Sequence, residues 1–244
     1  MAIELTFEDF LQGTFAVIFV LISLIVGIKL LTKYKIYKQK SFLLAGLSWI
    51  GIATPWFSNA SEFLSVLIVG TPLIDKTYIF ISYFAVPIAL LFWIALYSGF
   101  KFPKKQKVIL LIFLIQGAIY DIIFTYFVIT DLSVVGSKPG LFNDELELPF
   151  LMYILVVLII VLITGISFGL DSIKSEKSDV KLKGKFLIVA WVSFFVGALL
   201  DAGLFTIGIL GLIVVRLILI SSAIEFYFGF FLPDSLKKRL LKSE

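Results

Sequence analysis

Four ionisable side chains fall inside stretches that are otherwise apolar: Asp121, Asp201, Arg216 and Glu225. A charged group at the centre of a hydrocarbon layer costs at least ~2.5 to 3.5 kcal/mol, so such residues usually pair, bind a ligand or carry protons. Asp201 precedes Gly208 by seven residues and Arg216 follows it by eight. If the chain turns there, at ~1.5 Å per residue both lie roughly 10 to 12 Å below one surface, on adjacent antiparallel helices where acid and base can face each other. Asp121, nine residues before Thr130, falls in the same layer. The three are expected to share a cavity in which two carboxylates face one guanidinium, with Tyr83, Tyr120 and Tyr153 as wall residues. Ligand binding and proton coupling are the chemistries this set allows. A purely structural Asp201–Arg216 pair, fixing the packing of two helices, is the alternative. Glu225 follows Arg216 by nine positions, about 180° around a helix, so the two cannot serve one pocket. Its expected partner is Lys29, if the first and last spans are neighbours. Ser193, Gly197 and Asp201 are spaced by fours, the small-residue pattern that lets helices approach closely.

The elements that must position these residues follow from composition. Hydrophobic residues make up 60% of the 244 and charged ones 16%, and mean hydropathy is +1.09. Soluble domains average about 45 to 50% and 25%. The chain therefore reads as all-α and polytopic, a bundle of seven transmembrane helices over residues 1–233. With ~20 residues needed per crossing, the spans fall at about 11–31, 41–59, 78–100, 108–130, 150–170, 185–206 and 210–232. Pro55 predicts a kink in the second span, because it removes a backbone donor. Residues 61–70 are too short to cross; they read as an extension of helix two or an interfacial hairpin that acts as a lid.

Basic residues assign the sides. The loops after spans one, three and five and the C-terminal tail hold five, four, five and four lysines or arginines, eighteen of the 21 in the chain. The segments on the other side hold Lys76 and Lys138, and Arg216 lies within span seven. By the positive-inside rule the N-terminus is outside and the C-terminus cytoplasmic, with the cell membrane as the location. Residues 234–244 form an amphipathic cytoplasmic tail, with Leu236, Leu240 and Leu241 on one face. The net charge of +4 marks this cytoplasmic side and does not indicate nucleic-acid binding.

Other chemistries are excluded by residue type. The chain has no cysteine and no histidine, which removes disulfides, thiol nucleophiles and the usual zinc and copper sites. No metal and no cofactor is expected. No span carries a lysine near its middle, so a retinal Schiff base is excluded. Phosphate loops, His-Glu metal motifs and Gly-x-Ser-x-Gly elbows are absent, which argues against soluble-type catalysis. No Pro-Gln pair of the kind found in three-plus-one-plus-three sugar transporters occurs.

The last span ends FYFGFFLPDSLKKRL. With the helix count, N-out orientation and short basic loops, the chain resembles the seven-transmembrane input modules of microbial membrane sensor proteins. This resemblance implies a sensor or receptor-like module that binds a small apolar or amphipathic ligand in an outer-leaflet cavity. The sequence stops at Glu244 without an output domain, so a signal is expected to pass to a separate cytoplasmic partner. Two other readings stay open. A small-solute or proton-coupled transporter would cycle Asp121 or Asp201 through protonation, and an intramembrane lipid or isoprenoid enzyme would have acids and tyrosines to work with.

Overall fold

The computed structural model describes residues 4–202 and 208–241. Helix α1 (Phe7–Tyr37) starts from a capping box: the Asp9 N–H donates to the Thr6 hydroxyl, and the Thr6 N–H donates to the Asp9 carboxylate. Its 31 residues span ~46 Å, more than the ~30 Å hydrocarbon core. A left-handed Lys38 (φ 55°) turns the chain into α2 (Lys40–Ile52). Pro55 opens α3 (Pro55–Val69), and α2 and α3 are bent by 57°. With no N–H on Pro55, the Gly51 carbonyl instead accepts from the Thr54 hydroxyl at 2.7 Å.

Helices α4 (Asp75–Tyr83) and α5 (Val86–Lys101) meet at Phe84 and Ala85 and together make one span. They are followed by α6 (Gln106–Thr130), α7 (Leu148–Ile173), α8 (Ser178–Asp201), α9 (Ile209–Phe230) and a short α10 (Asp234–Leu241). Among the described residues six helices are long and apolar enough to cross a membrane, or seven if the bent α2–α3 pair is one span. The chain is thus an all-helical, multi-pass membrane protein.

The helices close into a ring. α1 packs on α2, α3 and α9; α2 on α5; α5 on α7; α7 on α8; and α8 on α9. α6 stands outside this ring, against α5 and α4. Lipid tails are as apolar as leucine, so close packing rather than water exclusion holds such helices together. Two glycine crossings provide it. A Cβ on Gly46 would lie 2.9 Å from the Gly27 carbonyl, and one on Gly184 would lie 2.7 Å from that of Gly169, so α1 meets α2, and α7 meets α8, backbone to backbone. Gly197, from the small-residue stripe, leaves room on α8 for the Leu219 side chain of α9. The ring is filled by aromatic side chains. Trp49 stacks on Phe226 at 4.2 Å between centroids, and Trp93 lies 4.5 Å from Trp191. Such pairs add ~0.5 to 1.5 kcal/mol each beyond their area.

The two ends of the bundle differ. The turns after α1, α5 and α7 and the helix ends beside them, together with α10, carry most of the basic residues. At the opposite end, residues 131–147 form a cap: a 3-10 turn at Leu132–Val134, then strand β1 (Gly136–Ser137) paired antiparallel with β2 (Glu145–Leu146). Val135 and Phe142 of the cap are buried, and the Phe142 ring lies 6.3 Å from Phe63 of α3.

Of the two readings of residues 61–70, the extension of helix two is the one seen: 61–69 belong to α3, which packs along α1 and α4. Helices also run past the expected spans, α1 starting four residues early at its cap and ending at Tyr37, and α8 starting at Ser178. The expected end of span six at 206 lies outside the described residues.

Candidate functional site at the capped end

Asp201 is the last residue of α8. A helix C-terminus presents unpaired carbonyls and the negative end of the macrodipole, so a carboxylate there needs compensation from other elements. Two arrive at one oxygen. The Arg216 guanidinium of α9 lies 3.0 Å from Asp201 Oδ2, and the Trp56 indole N–H donates to the same atom at 2.6 Å. Trp56 is the second residue of α3, so the Pro55 break determines where that indole points. Phe19 and Phe194 pack edge-on against it at 5.0 and 5.8 Å. Arg216 is 3% exposed, and its Nε and Nη1 have no directed hydrogen-bond acceptor among the described residues.

A second ion pair ties the cap to the bundle. Glu62 of α3 is 0% exposed; its Oε1 accepts from the Lys138 ammonium at 3.0 Å and its Oε2 from the Leu73 N–H at 2.9 Å. Lys138 also lies 4.7 Å over the Tyr78 ring. Charges so deeply buried hold together only when geometry and extra hydrogen bonds repay desolvation, and here both Glu62 oxygens are used.

Tyrosines join the two pairs. The Tyr78 hydroxyl donates to Asn59 and the Tyr83 hydroxyl to Asp144 of the cap, while Ser82 donates to Ser58 at 2.7 Å. Tyr78 lies within the electrostatic reach of Asp144, Glu62 and Arg216. Glu62, Asp144 and Asp201, with Asp75 4.0 Å from Lys138 at the exposed rim, therefore face Lys138 and Arg216, four acids against two bases. Burial, the largest cause, pushes the Asp144 carboxyl above its ordinary value; the Tyr83 hydrogen bond opposes this, Asp201 adds to it, and Lys138 opposes it.

Of the residues expected to form one cavity, the structure brings Asp201 and Arg216 together and adds Tyr83 through Asp144. Asp121 stands elsewhere, because α6 lies outside the ring. Its neighbours are Tyr120 and Tyr153, which stack at 3.8 Å, and Tyr153 donates to Gln116 at 3.1 Å. The Lys29–Glu225 pair is not formed. α1 and α9 do pack together, but Ser221 on the same helix donates to Glu225 at 2.6 Å, and the Lys29 ammonium lies 5.3 Å over the Tyr227 ring. A hydroxyl one turn away reaches Glu225 without ordering a long lysine chain.

Sequence reasoning missed Trp56, Asn59, Glu62, Tyr78, Lys138 and Asp144. Signals for two of them were present. Glu62 is the sole charge between Lys40 and Asp75, and Lys138 is one of the two basic residues outside the basic end and its tail that do not lie in span seven. An open cleft of about 410 Å³ lies beside Lys138 on the cap, lined by Asp75, Ser133, Ser137 and Glu147. No protein-family model matches the chain, and no curated protein matches it.

Proposed function

We propose that this protein is a seven-span sensor or receptor-like module of the cell membrane, with its N-terminus outside and α10 in the cytoplasm. A small apolar or amphipathic ligand arriving from the outer side would act on the capped cluster, and a separate cytoplasmic partner would read the change. One observation carries the proposal: Lys138 and Asp144 of the cap reach buried groups of α3 and α4 that adjoin the Asp201–Arg216 pair. Anything that displaces the cap must therefore change the charges felt where α8 and α9 meet. The concentration of eighteen of 21 basic residues at the other end supports the orientation.

The 57° break between α2 and α3 favours a second reading, a small-solute or proton-coupled transporter, because discontinuous helices beside buried charges are a transporter device. Solute or proton flux in proteoliposomes, abolished by Asp201→Asn, would establish that reading in place of the first. The sensor reading is tested by mass spectrometry of small molecules retained by the purified protein. A retained compound absent from a folded Asp201→Leu/Arg216→Leu variant is the expected result, and equal retention by both proteins overturns the site. Orientation is tested separately, since the chain has no cysteine. A cysteine at exposed Ser137 should react with an impermeant thiol reagent on intact cells, and one at exposed Ser178 only after lysis.

A further inference from the structure

A second cleft, of about 280 Å³, lies at the basic end, where α5 and α7 finish and α8 begins. Tyr97, Phe100 and Lys101 line it from α5, Phe168 and Asp171 from α7, and Ser175 from the turn that follows. It can be reached from outside: the Lys101 and Asp171 side chains are 35% and 38% exposed, and the Phe100 ring is largely uncovered. The Tyr97 hydroxyl donates to Ser167 of α7 at 3.1 Å, and Phe100 meets Phe168 edge-on at 5.4 Å, so the two walls are held together.

Charge around this cleft is one-sided. The flanking turns and helix ends, residues 101–107 and 171–185, hold nine lysines against Asp171, Glu176 and Asp179. Asp171, the one acid in the lining, is matched twice: the Lys101 ammonium pairs with its Oδ2, and that of Lys174 lies 3.7 Å from its Oδ1. An ammonium has three donors, so Lys101 keeps others for a ligand. The Ser175 hydroxyl accepts from the Lys177 N–H at 3.3 Å, and its own proton has no acceptor among the described residues. A cleft between low-dielectric walls focuses such a positive field on anions. At the level where membrane helices end, the abundant anion is the phosphate of a phospholipid. A choline head carries its own cation, which the lysines repel, so a head group of net negative charge is favoured. We propose that this cleft binds the phosphate head of an anionic phospholipid, with Lys101 and Ser175 donating to phosphate oxygens and the Phe100 ring against the acyl chains. The site is separate from the capped cluster and requires neither the orientation nor the function proposed above.

The test counts lipids retained by the full chain in detergent, by native mass spectrometry, with phosphatidylglycerol and phosphatidylcholine offered at equal concentration and water-soluble glycerol phosphate as competitor. Phosphatidylglycerol should be the lipid retained. Lys101→Gln should lower its retention about tenfold, the effect of losing one charge-assisted hydrogen bond, and Lys101→Arg should restore it. Asp171→Asn removes the one negative charge of the lining and should raise retention. Lys105→Gln, an exposed lysine of the same turn that lies outside the lining, should stay within about twofold of the unaltered chain, because exposed charges are screened. Equal retention of the two lipids, equal losses in Lys101→Gln and Lys105→Gln, or a fall in Asp171→Asn would each overturn the site. Displacement of the lipid by an equal concentration of glycerol phosphate would overturn its assignment to a lipid in favour of a soluble phosphate compound.

Discussion

The capped cluster and the α6 flank both place carboxylates beside tyrosines at similar distances from one end of the bundle, and they solve the problem of charge in hydrocarbon in opposite ways. In the cluster the acids are matched within the protein: Asp201 by Arg216 and Trp56, Glu62 by Lys138 and a backbone N–H. On the flank Asp121 and Tyr120 keep unpartnered atoms. The difference comes from the ring. α3, α8, α9 and the cap converge on one volume, whereas α6 has the ring on one side and lipid on the other. Matched charges inside hold elements in register, whereas Asp121 on the flank makes no ion pair with a second element among the described residues.

The comparison breaks most visibly through Arg216. Removing one partner of a buried ion pair costs ~3 to 5 kcal/mol, and removing both is much milder because no orphan charge remains. Arg216→Leu should therefore unfold at clearly lower denaturant than Asp201→Leu/Arg216→Leu, measured in detergent. Equal losses would mean that the two do not stabilise each other. Next comes Lys138→Met, which orphans Glu62. The expected cost is about 3 kcal/mol, felt locally, so hydrogen exchange should accelerate across residues 132–146 while α7 and α8 stay protected. Uniform acceleration would show that the cap is no separate unit.

A smaller effect is expected from pH. Asp144 binds its proton more tightly in the docked cap than at its ordinary value of 3.8. The docked state therefore holds the extra proton between those two values, and cap stability falls as pH rises through that window, then levels off. Exchange of the cap amides, corrected for intrinsic rates, should follow this course, and Asp144→Asn should flatten it; a slope that survives in the variant belongs to another group. The smallest effect is Asp121→Asn. It takes a charge from a membrane-facing position and leaves no protein partner orphaned, so stability should stay within ~1 kcal/mol or rise. A loss of several kcal/mol would show that Asp121 is matched after all and would erase the contrast.

Much of this was legible in the chain itself. The apolar runs and lysine clusters mark the helices, Pro55 marks the break, and the similar distances of Asp201 and Arg216 from Gly208, seven and eight residues, pair them. Periodicity cannot say which helix lies outside a ring, and so Asp121 was grouped with charges that α6 never reaches. Nor does an irregular segment such as 131–147 carry a period from which docking could be read. Lys138 and Asp144 become informative only once Val135 and Phe142 anchor that segment on α3 and its neighbours.

α8 runs unbroken from the basic end to the cluster, and each of its ends is tied by charge. Asp201 closes one end on Arg216, and Asp179, in its first turn, accepts the Lys237 ammonium of α10 at 3.5 Å. The 22 residue steps from Asp179 to Asp201 make an arm of ~33 Å. A tilt of about 5° pivoting at Asp201 would swing Asp179 by about 3 Å, comparable to the length of its own bridge. Any tilt of α8 about Asp201 is thus largest where the helix meets α10.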